Sequence, residues 1–351
     1  MTEQAELLMS RSRRLGRIRL NRPKALNSLT LSMVRLFTEA LKTFARDDEV
    51  AAVLVTGEGD RGLCAGGDIR ALYDLRDGDK TYYRDFWREE YELNALIASY
   101  AKPYVVVMDG LVMGGGVGVS AHGSCRIVTE RTRLAMPETG IGFIPDVGGT
   151  WLLSRAGGAG VYMALSGATV SGADALAAGL ADWSIDSGKI AELSARLHEI
   201  ACAEDVRAVL AEFNHPLEPG ELSQNRAVLD NLTAEESVEE VLTRLAEADS
   251  AFARRAAAEI SKKSPTSLKV TQALLRRATN AATLRECLIR EFRAACRLLE
   301  RHDLYEGIRA AIIDKDKAPK WRPATLQEVS LDSVNDILRG VGSTEPFSEA
   351  V

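Results

Sequence analysis

Residues 102–123 read KPYVVVMDGLVMGGGVGVSAHG. A run of Val between Lys102-Pro103 and Asp109-Gly110 has the length and β-branched content of a strand covered on both faces. It leads directly into a glycine-rich segment. The same arrangement stands earlier in the chain: AAVLVT at 51–56 is a continuous apolar run, and GEGDRGLCAGGD at 57–68 follows it. Two buried strands that each end in a glycine-rich loop mark an α/β core.

Outward from these strands the pattern alternates. LGRIRL at 15–20 reads as a short alternating strand. Thr30 is placed to cap a helix running to Asp47, with Leu31, Val34, Phe37, Leu41 and Phe44 on one face. Residues 80–99 read as a helix carrying Tyr83, Phe86, Trp87 and Tyr91. Short strands recur in SCRIVTE (124–130), TRLAMPE (132–138) and ADWSID (181–186). From about residue 188 strand signals nearly vanish, and helical periods occupy 237–260, 265–279 and 281–300. The expected organisation is an α/β core over 1–200 that holds the active site, a helical region over 201–328, and a polar, loosely ordered tail over 329–351.

Composition narrows the function. The chain has 351 residues, 46% hydrophobic and 27% charged, which excludes a wholly disordered protein. With 44 Lys+Arg against 50 Asp+Glu the net charge is −6, without the basic footprint of a nucleic-acid binder. Phosphate-bearing small molecules stay open, because backbone N–H groups bind anions without Lys or Arg. Five scattered cysteines with no C-x-x-C pair suggest neither a disulfide framework nor a zinc cluster, and fit a reducing compartment. The N-terminus lacks the long apolar stretch of a secretion signal. Residues 103–121, interrupted by Asp109 and glycines, lack the character of a membrane span. A cytoplasmic protein is expected.

Several motif matches carry little. GEGDRG at 57–62 and GVGVSA at 116–121 fit dinucleotide-type glycine patterns, but neither stands in a clear strand–turn–helix unit with a ribose-binding acid. There is no P-loop and no G-x-S-x-G elbow. His122, His198, His215 and His302 have no ligand-like spacing, so no metal site is expected.

Two features carry more. CAGGD at 64–68 and GGGVG at 114–118 both follow buried strands. Such loops can aim two backbone N–H groups at one oxygen, or can simply be tight turns with close helix–strand packing. The segment MPETGIGFIPDVGGT at 136–150 sets Glu138 and Asp146 among apolar neighbours. Desolvation there raises carboxyl pKa values and suits acid–base or nucleophilic work. The plain alternative makes both residues local caps, Asp146 for a helix starting near Gly148.

At these residues the chain resembles the crotonase (enoyl-CoA hydratase/isomerase) superfamily, and within it the 3-hydroxyisobutyryl-CoA hydrolase branch. The resemblance runs through LNRPKALNSL (20–29), GLCAGGDIR (62–70), REEYELN (88–94), residues 102–123, AMPETGIGFIPDVGGTWLLSR (135–155), KSPTSLKVT (263–271) and HDLYEGIRAAIIDKDKAPKWRP (302–323). It implies a spiral of ββα units with a helical C-terminal region. It implies an acyl-CoA thioester as substrate, its carbonyl polarised by the N–H groups of Ala65 and Gly115. Glu138 and Asp146 become the catalytic pair, and Glu90 in REEY a substrate contact; for Glu90 the competing reading is a surface helix glutamate.

Hydratases of this superfamily use two glutamates. One matches Glu138, but the other falls on Gly118, which argues against hydration. The resemblance further implies no metal or redox cofactor, coenzyme A being part of the substrate, and a trimer-based homo-oligomer. An enoyl-CoA hydratase or isomerase and a non-catalytic acyl-CoA binder are the competing functions.

Overall fold

The computed structural model describes residues 5–233, 237–340 and 345–347. Ten strands appear in chain order: β1 Leu7–Ser12, β2 Leu15–Leu20, β3 Ala52–Gly57, β4 Gly62–Cys64, β5 Tyr104–Met108, β6 Leu111–Met113, β7 Cys125–Val128, β8 Arg133–Ala135, β9 Val170–Ser171 and β10 Trp183–Ser184. They form a six-stranded sheet of order β1-β2-β3-β5-β7-β10 and a four-stranded sheet of order β4-β6-β8-β9. β1 and β2 pair antiparallel, and from β2 through β3, β5, β7 and β10 the larger sheet is parallel.

The strands come in consecutive couples. β3 and β4, β5 and β6, β7 and β8 each place the first strand in the larger sheet and the second in the smaller one. Helical segments follow each couple, so the ββα step repeats along the chain. The apolar runs at 51–56 and 104–108 are central strands, and every residue of β5 is buried, as expected for a strand covered on both faces.

Local signals account for the helix ends. Thr30 caps the helix Leu31–Arg46, accepting from the Met33 N–H at 3.1 Å, and Phe37 and Leu41 on its inner face are fully buried. The helix Pro265–Thr279 begins with Pro at its first position after Ser264, whose hydroxyl accepts from the Ser267 N–H.

Two compact units result. The first comprises residues 1–67, 93–134 and 170–223; the second comprises 68–92, 135–169 and 224–351. This differs from the expected succession of 1–200, 201–328 and 329–351, because the chain passes between the units more than once. Inside the first unit, Leu54, Val105, Val107 and Ile127 pack with Leu193, Leu197 and Leu210 from the helices that follow the sheet. In the second, the helix Gly149–Arg155 packs on Pro265–Thr279 and Leu284–Leu298.

The tail also differs from expectation. Residues 331–339 form a helix capped by Ser330, with Val334, Ile337 and Leu338 buried at spacings of three and four. Its polar residues lie on the other face, which made the segment look featureless in composition. Of the rest of the expected tail, 341–344 and 348–351 lie outside the described residues.

Candidate active site

Two glycine-rich loops lie within the first unit. β4 and β6 run parallel, with Cys64 paired to Val112, so the segments leaving their C-terminal ends are neighbours. Gly114, at φ +50°, turns the chain into the short helix Gly115–Gly118. First-turn amides of a helix have no partner within it, so the Gly115 N–H is an orphan donor of that helix. Approach between the loops is close. A Cβ on Gly116 would lie 2.3 Å from the Cys64 carbonyl oxygen, and one on Gly66 would lie 3.8 Å from the Gly115 nitrogen. Only glycine at 116 lets the helix come this near.

Ala65 does not fit the role expected of it. Its N–H donates to the Leu26 carbonyl at 3.0 Å, so it is already committed to the fold. Two residues on, Leu29 forms a parallel bridge with Gly67 and donates to the Gly66 carbonyl at 2.8 Å. In such a bridge the bonded residue, here Leu29, spends its N–H and C=O on the residues flanking its partner, and the partner's own amide faces away. The outward amide of this loop is therefore that of Gly67. Gly118, where hydration would need a second glutamate, is a buried glycine at the end of its short helix.

The second unit holds a separate set of features, a group of buried carboxyls. Glu138 opens a 3₁₀ turn, Glu138–Ile141, after Pro137, and is 7% exposed. Asp146 follows in a loop without regular structure and is 6% exposed. Glu90, on the helix Thr81–Ala98, is 2% exposed, so it is no surface glutamate; its neighbour Glu89 is half-buried beside Arg88. Trp87, one turn back on that helix, stacks on Phe143 at 5.1 Å.

Hydrogen bonding separates the carboxyls into two kinds. Asp146 Oδ2 accepts the Tyr91 hydroxyl at 2.7 Å. Glu291, fully buried on the helix Leu284–Leu298, accepts from the Gly148 N–H at 2.7 Å, the Thr150 N–H at 2.9 Å and the Thr150 hydroxyl. By contrast, Glu90 Oε1 and Glu138 Oε2 are buried with no hydrogen-bond partner among the described residues.

Electrostatics follows from this. Burial, then the Asp146 charge, holds the Glu138 carboxyl well above the usual range. Burial, then Asp146 and Glu138, does the same for Glu90. Burial pushes Asp146 up to about 7, opposed by the Tyr91 hydroxyl and its own amide. Burial also pushes Glu291 up to about 7, opposed by the Thr150 hydroxyl and the two amides. Four buried acids cannot all ionise together. The charge rests first on Asp146 and Glu291, which have donors to stabilise it, and Glu138 and Glu90 keep their protons longest. A cluster of buried acids with raised pKa values, two of them with an unpartnered oxygen, is suited to moving protons and holding a polar substrate.

The capping alternative for Asp146 is also resolved. The first turn of the helix Gly149–Arg155 is capped by the Glu291 carboxylate, while Asp146 contributes only its backbone carbonyl, to the Gly149 N–H at 2.6 Å. The Asp146 carboxyl is left for other work. Tyr91 and Glu291 were not foreseen. A signal for Glu291 existed: it stands among Cys287, Leu288, Phe292 and Ala295, on the apolar stripe of its helix, where a lone acid is out of place.

Residues 15–338 match the family described as enoyl-CoA hydratase/isomerase. The chain is 41% identical over 352 residues to the mitochondrial 3-hydroxyisobutyryl-CoA hydrolase of Rattus norvegicus, covering 98% of this chain and 91% of that one. It is 38% identical over 348 residues to the protein of the same name from Homo sapiens, covering 97% and 90%. A solved structure titled as a carnitinyl-CoA dehydratase from Mycobacterium thermoresistibile matches with a TM-score of 0.93 at 45% identity, covering 99% of this chain and 100% of that one. One titled as an enoyl-CoA hydratase from Rhodobacter sphaeroides 2.4.1 matches at 0.88 and 40%, covering 96% and 98%. The chain belongs to the enoyl-CoA hydratase/isomerase family and has the crotonase fold. Within that family, the curated relatives it matches at this level are 3-hydroxyisobutyryl-CoA hydrolases. Among the described residues no helix is long and apolar enough to cross a membrane.

Proposed function

We propose that the protein hydrolyses the thioester of 3-hydroxyisobutyryl-CoA, or of a similar short 3-hydroxyacyl-CoA, to free coenzyme A and the hydroxy acid. The observation that carries this reading is the exchange of carboxyls. Position 118 is a glycine, which removes one of the two acids that water addition to a double bond requires, while Asp146 is a second buried acid eight residues beyond Glu138. The identity to curated hydrolases over nearly the whole chain supports it.

In this reading the thioester oxygen lies against the N–H groups of Gly115 and Gly67, Gly67 taking the place first given to Ala65. Negative charge grows on that oxygen as the carbonyl carbon is attacked, and two fixed donors stabilise it there. Glu138 acts once ionised, either as the nucleophile that forms a mixed anhydride or as the base that activates water. Asp146 orients Glu138 or the water. The unpartnered oxygen of Glu90 accepts the substrate's 3-hydroxyl. Coenzyme A leaves as the thiol, and water supplies the second carboxylate oxygen of the acid.

This chemistry uses carboxyls and backbone amides and calls for no metal or redox cofactor. We further propose a trimer-based homo-oligomer and a cytoplasmic location. All five cysteines are thiols, which fits a reducing compartment; the named relatives are mitochondrial.

The test is thiol release from 3-hydroxyisobutyryl-CoA, with crotonyl-CoA hydration followed in parallel by loss of the conjugated double bond. Thiol release without hydration supports the hydrolase. Hydration without thiol release moves the protein to the chemistry in the titles of the two solved structures. Binding without either reaction makes it an acyl-CoA binder.

A further inference from the structure

We infer that Glu291 is a positioning residue for Asp146: from the helix Leu284–Leu298 it holds the turn Val147–Thr150 in the one conformation that keeps the Asp146 side chain on the Tyr91 hydroxyl. In its kinetic arm this inference rests on the hydrolase reading.

The turn is held against its own preference. Val147 has φ +51° and Gly148 has φ +80°. A β-branched residue in the left-handed region is a true outlier, kept there only when its surroundings over-determine it. The surroundings are visible on both sides. The Asp146 carbonyl accepts the Gly149 N–H at 2.6 Å, and the two Glu291 oxygens accept the Gly148 and Thr150 N–H groups at 2.7 and 2.9 Å. Bonds from amides to a carboxylate are of the strong, charge-assisted kind. Val147 itself is 1% exposed, so it has no room to relax by a small swing into solvent.

Reach matters as much as strength. Glu291 lies 143 residues from Gly148 in sequence, and Phe292 beside it meets the Tyr91 ring edge-on at 6.3 Å. One turn of the Leu284–Leu298 helix therefore fixes both partners of the Tyr91–Asp146 hydrogen bond, the turn through Glu291 and the phenol through Phe292. Released from Glu291, Val147 returns to negative φ and Asp146 leaves the phenol.

The substitution Glu291→Gln keeps the shape and removes the function. Two N–H donors face two carboxylate oxygens, and an amide must turn its NH₂ toward one of them. With 3-hydroxyisobutyryl-CoA as substrate, E291Q is expected to lose about 10- to 100-fold in kcat, the usual effect of displacing a reacting group by about an ångström, with KM within about threefold of wild type. The double variant E291Q/V147G is expected to recover about tenfold of that loss, since glycine holds positive φ without a steric cost. A purely structural Glu291 predicts otherwise. E291Q would then melt earlier yet turn over within twofold of wild type while folded, and V147G would only add to the instability; that pair of results overturns the inference.

Should E291Q not fold, Thr150→Val removes one of the three donors, and an unchanged kcat there overturns the proposal equally. A wild-type protein inert toward the thioester sinks the hydrolase reading instead. The anchor is then decided by the E291Q crystal structure, where Val147 at negative φ supports it and Val147 still near +51° refutes it.

Discussion

The Tyr91 hydroxyl donates to Asp146 Oδ2 at 2.7 Å in a site where both residues are buried. Burial, reinforced by the Asp146 and Glu291 charges, keeps the phenol protonated, so it serves only as a donor. It favours the ionised form of Asp146, which burial alone would push higher than about 7. Removing the hydroxyl in Tyr91→Phe is expected to raise the Asp146 pKa further. A bond to a charged group is worth about 1.5–3 kcal/mol, so kcat/KM at pH 7 should fall about tenfold or more and recover toward pH 9. Superimposable pH–rate profiles for the two proteins would show that Asp146 ionisation does not govern the reaction.

The same burial sets how stability depends on pH. Asp146 and Glu291 have folded pKa values near 7, above their unfolded values near 4. The folded state therefore holds more protons between these limits, and its stability falls as pH rises through that window. Each group contributes on the order of 4 kcal/mol, a rise of about 3 in pKa at about 1.36 kcal/mol each, that is fully present below pH 4 and gone above about pH 7, the sum being smaller because the sites interact. Thermal melts should give a higher Tm at pH 5.5 than at pH 8, and Asp146→Asn should narrow the gap. A Tm that rises across this range would contradict the assignment.

Glu138→Gln should leave the fold intact, because burial already disfavours a charge there and Oε2 has no hydrogen-bond partner among the described residues for the amide to break. Turnover should fall by about 1,000-fold or more if Glu138 is the nucleophile and about 100-fold or more if it is a base. KM should change little. Asp146→Asn should also cut turnover, and it should not unseat the helix Gly149–Arg155, whose cap is Glu291. Near-normal hydrolysis by E138Q would remove Glu138 from the mechanism.

Legibility in the sequence followed the range of the interactions. The strands at 51–56 and 104–108 and the helices capped by Thr30 and Ser264 are written in local period and capping residues, and all were foreseen within a few positions. Glu138 and Asp146 stood out because apolar neighbours in the chain announce burial. Glu291 showed only as a lone acid on an apolar stripe; what it and Tyr91 meet was not legible, because their partners lie 55 and 141 or more residues away and no local pattern encodes a meeting at that distance. Glu90 lay between these cases: its helix was foreseen, but which face it would bury was not. Ala65 went astray for a different reason. Glycine content marks the loop, yet only the hydrogen bonds to Leu26 and from Leu29 tell which amide of it points outward.

Close approach between the two loops predicts a sharp response at Gly116. An added methyl would lie 2.3 Å from the Cys64 carbonyl oxygen, which is backbone and has no rotamer to move. Gly116→Ala must therefore push the helix Gly115–Gly118 away from β4. Loss or misplacement of one oxyanion donor costs about 100- to 1,000-fold in kcat, and a loss of this size is expected for any G116A protein that folds. Activity within tenfold of wild type would mean that the Gly115 amide is not part of the chemistry.

The assignment of the first donor to Gly67 rather than Ala65 is testable one atom at a time. Replacing a residue by its α-hydroxy analogue exchanges the amide for an ester, which deletes the N–H and leaves the side chain alone. At Gly67 the loss should appear in kcat, by about 100- to 1,000-fold, while stability falls by about 1 kcal/mol or less, through the weaker ester carbonyl at Gly66 that accepts from the Leu29 N–H. At Ala65 the same exchange removes the donor to the Leu26 carbonyl. The cost there should appear as about 1 kcal/mol of stability with kcat largely kept. The opposite pattern, an inactive ester at 65 and an active one at 67, would return the oxyanion role to Ala65 and require its bond to Leu26 to open when substrate binds.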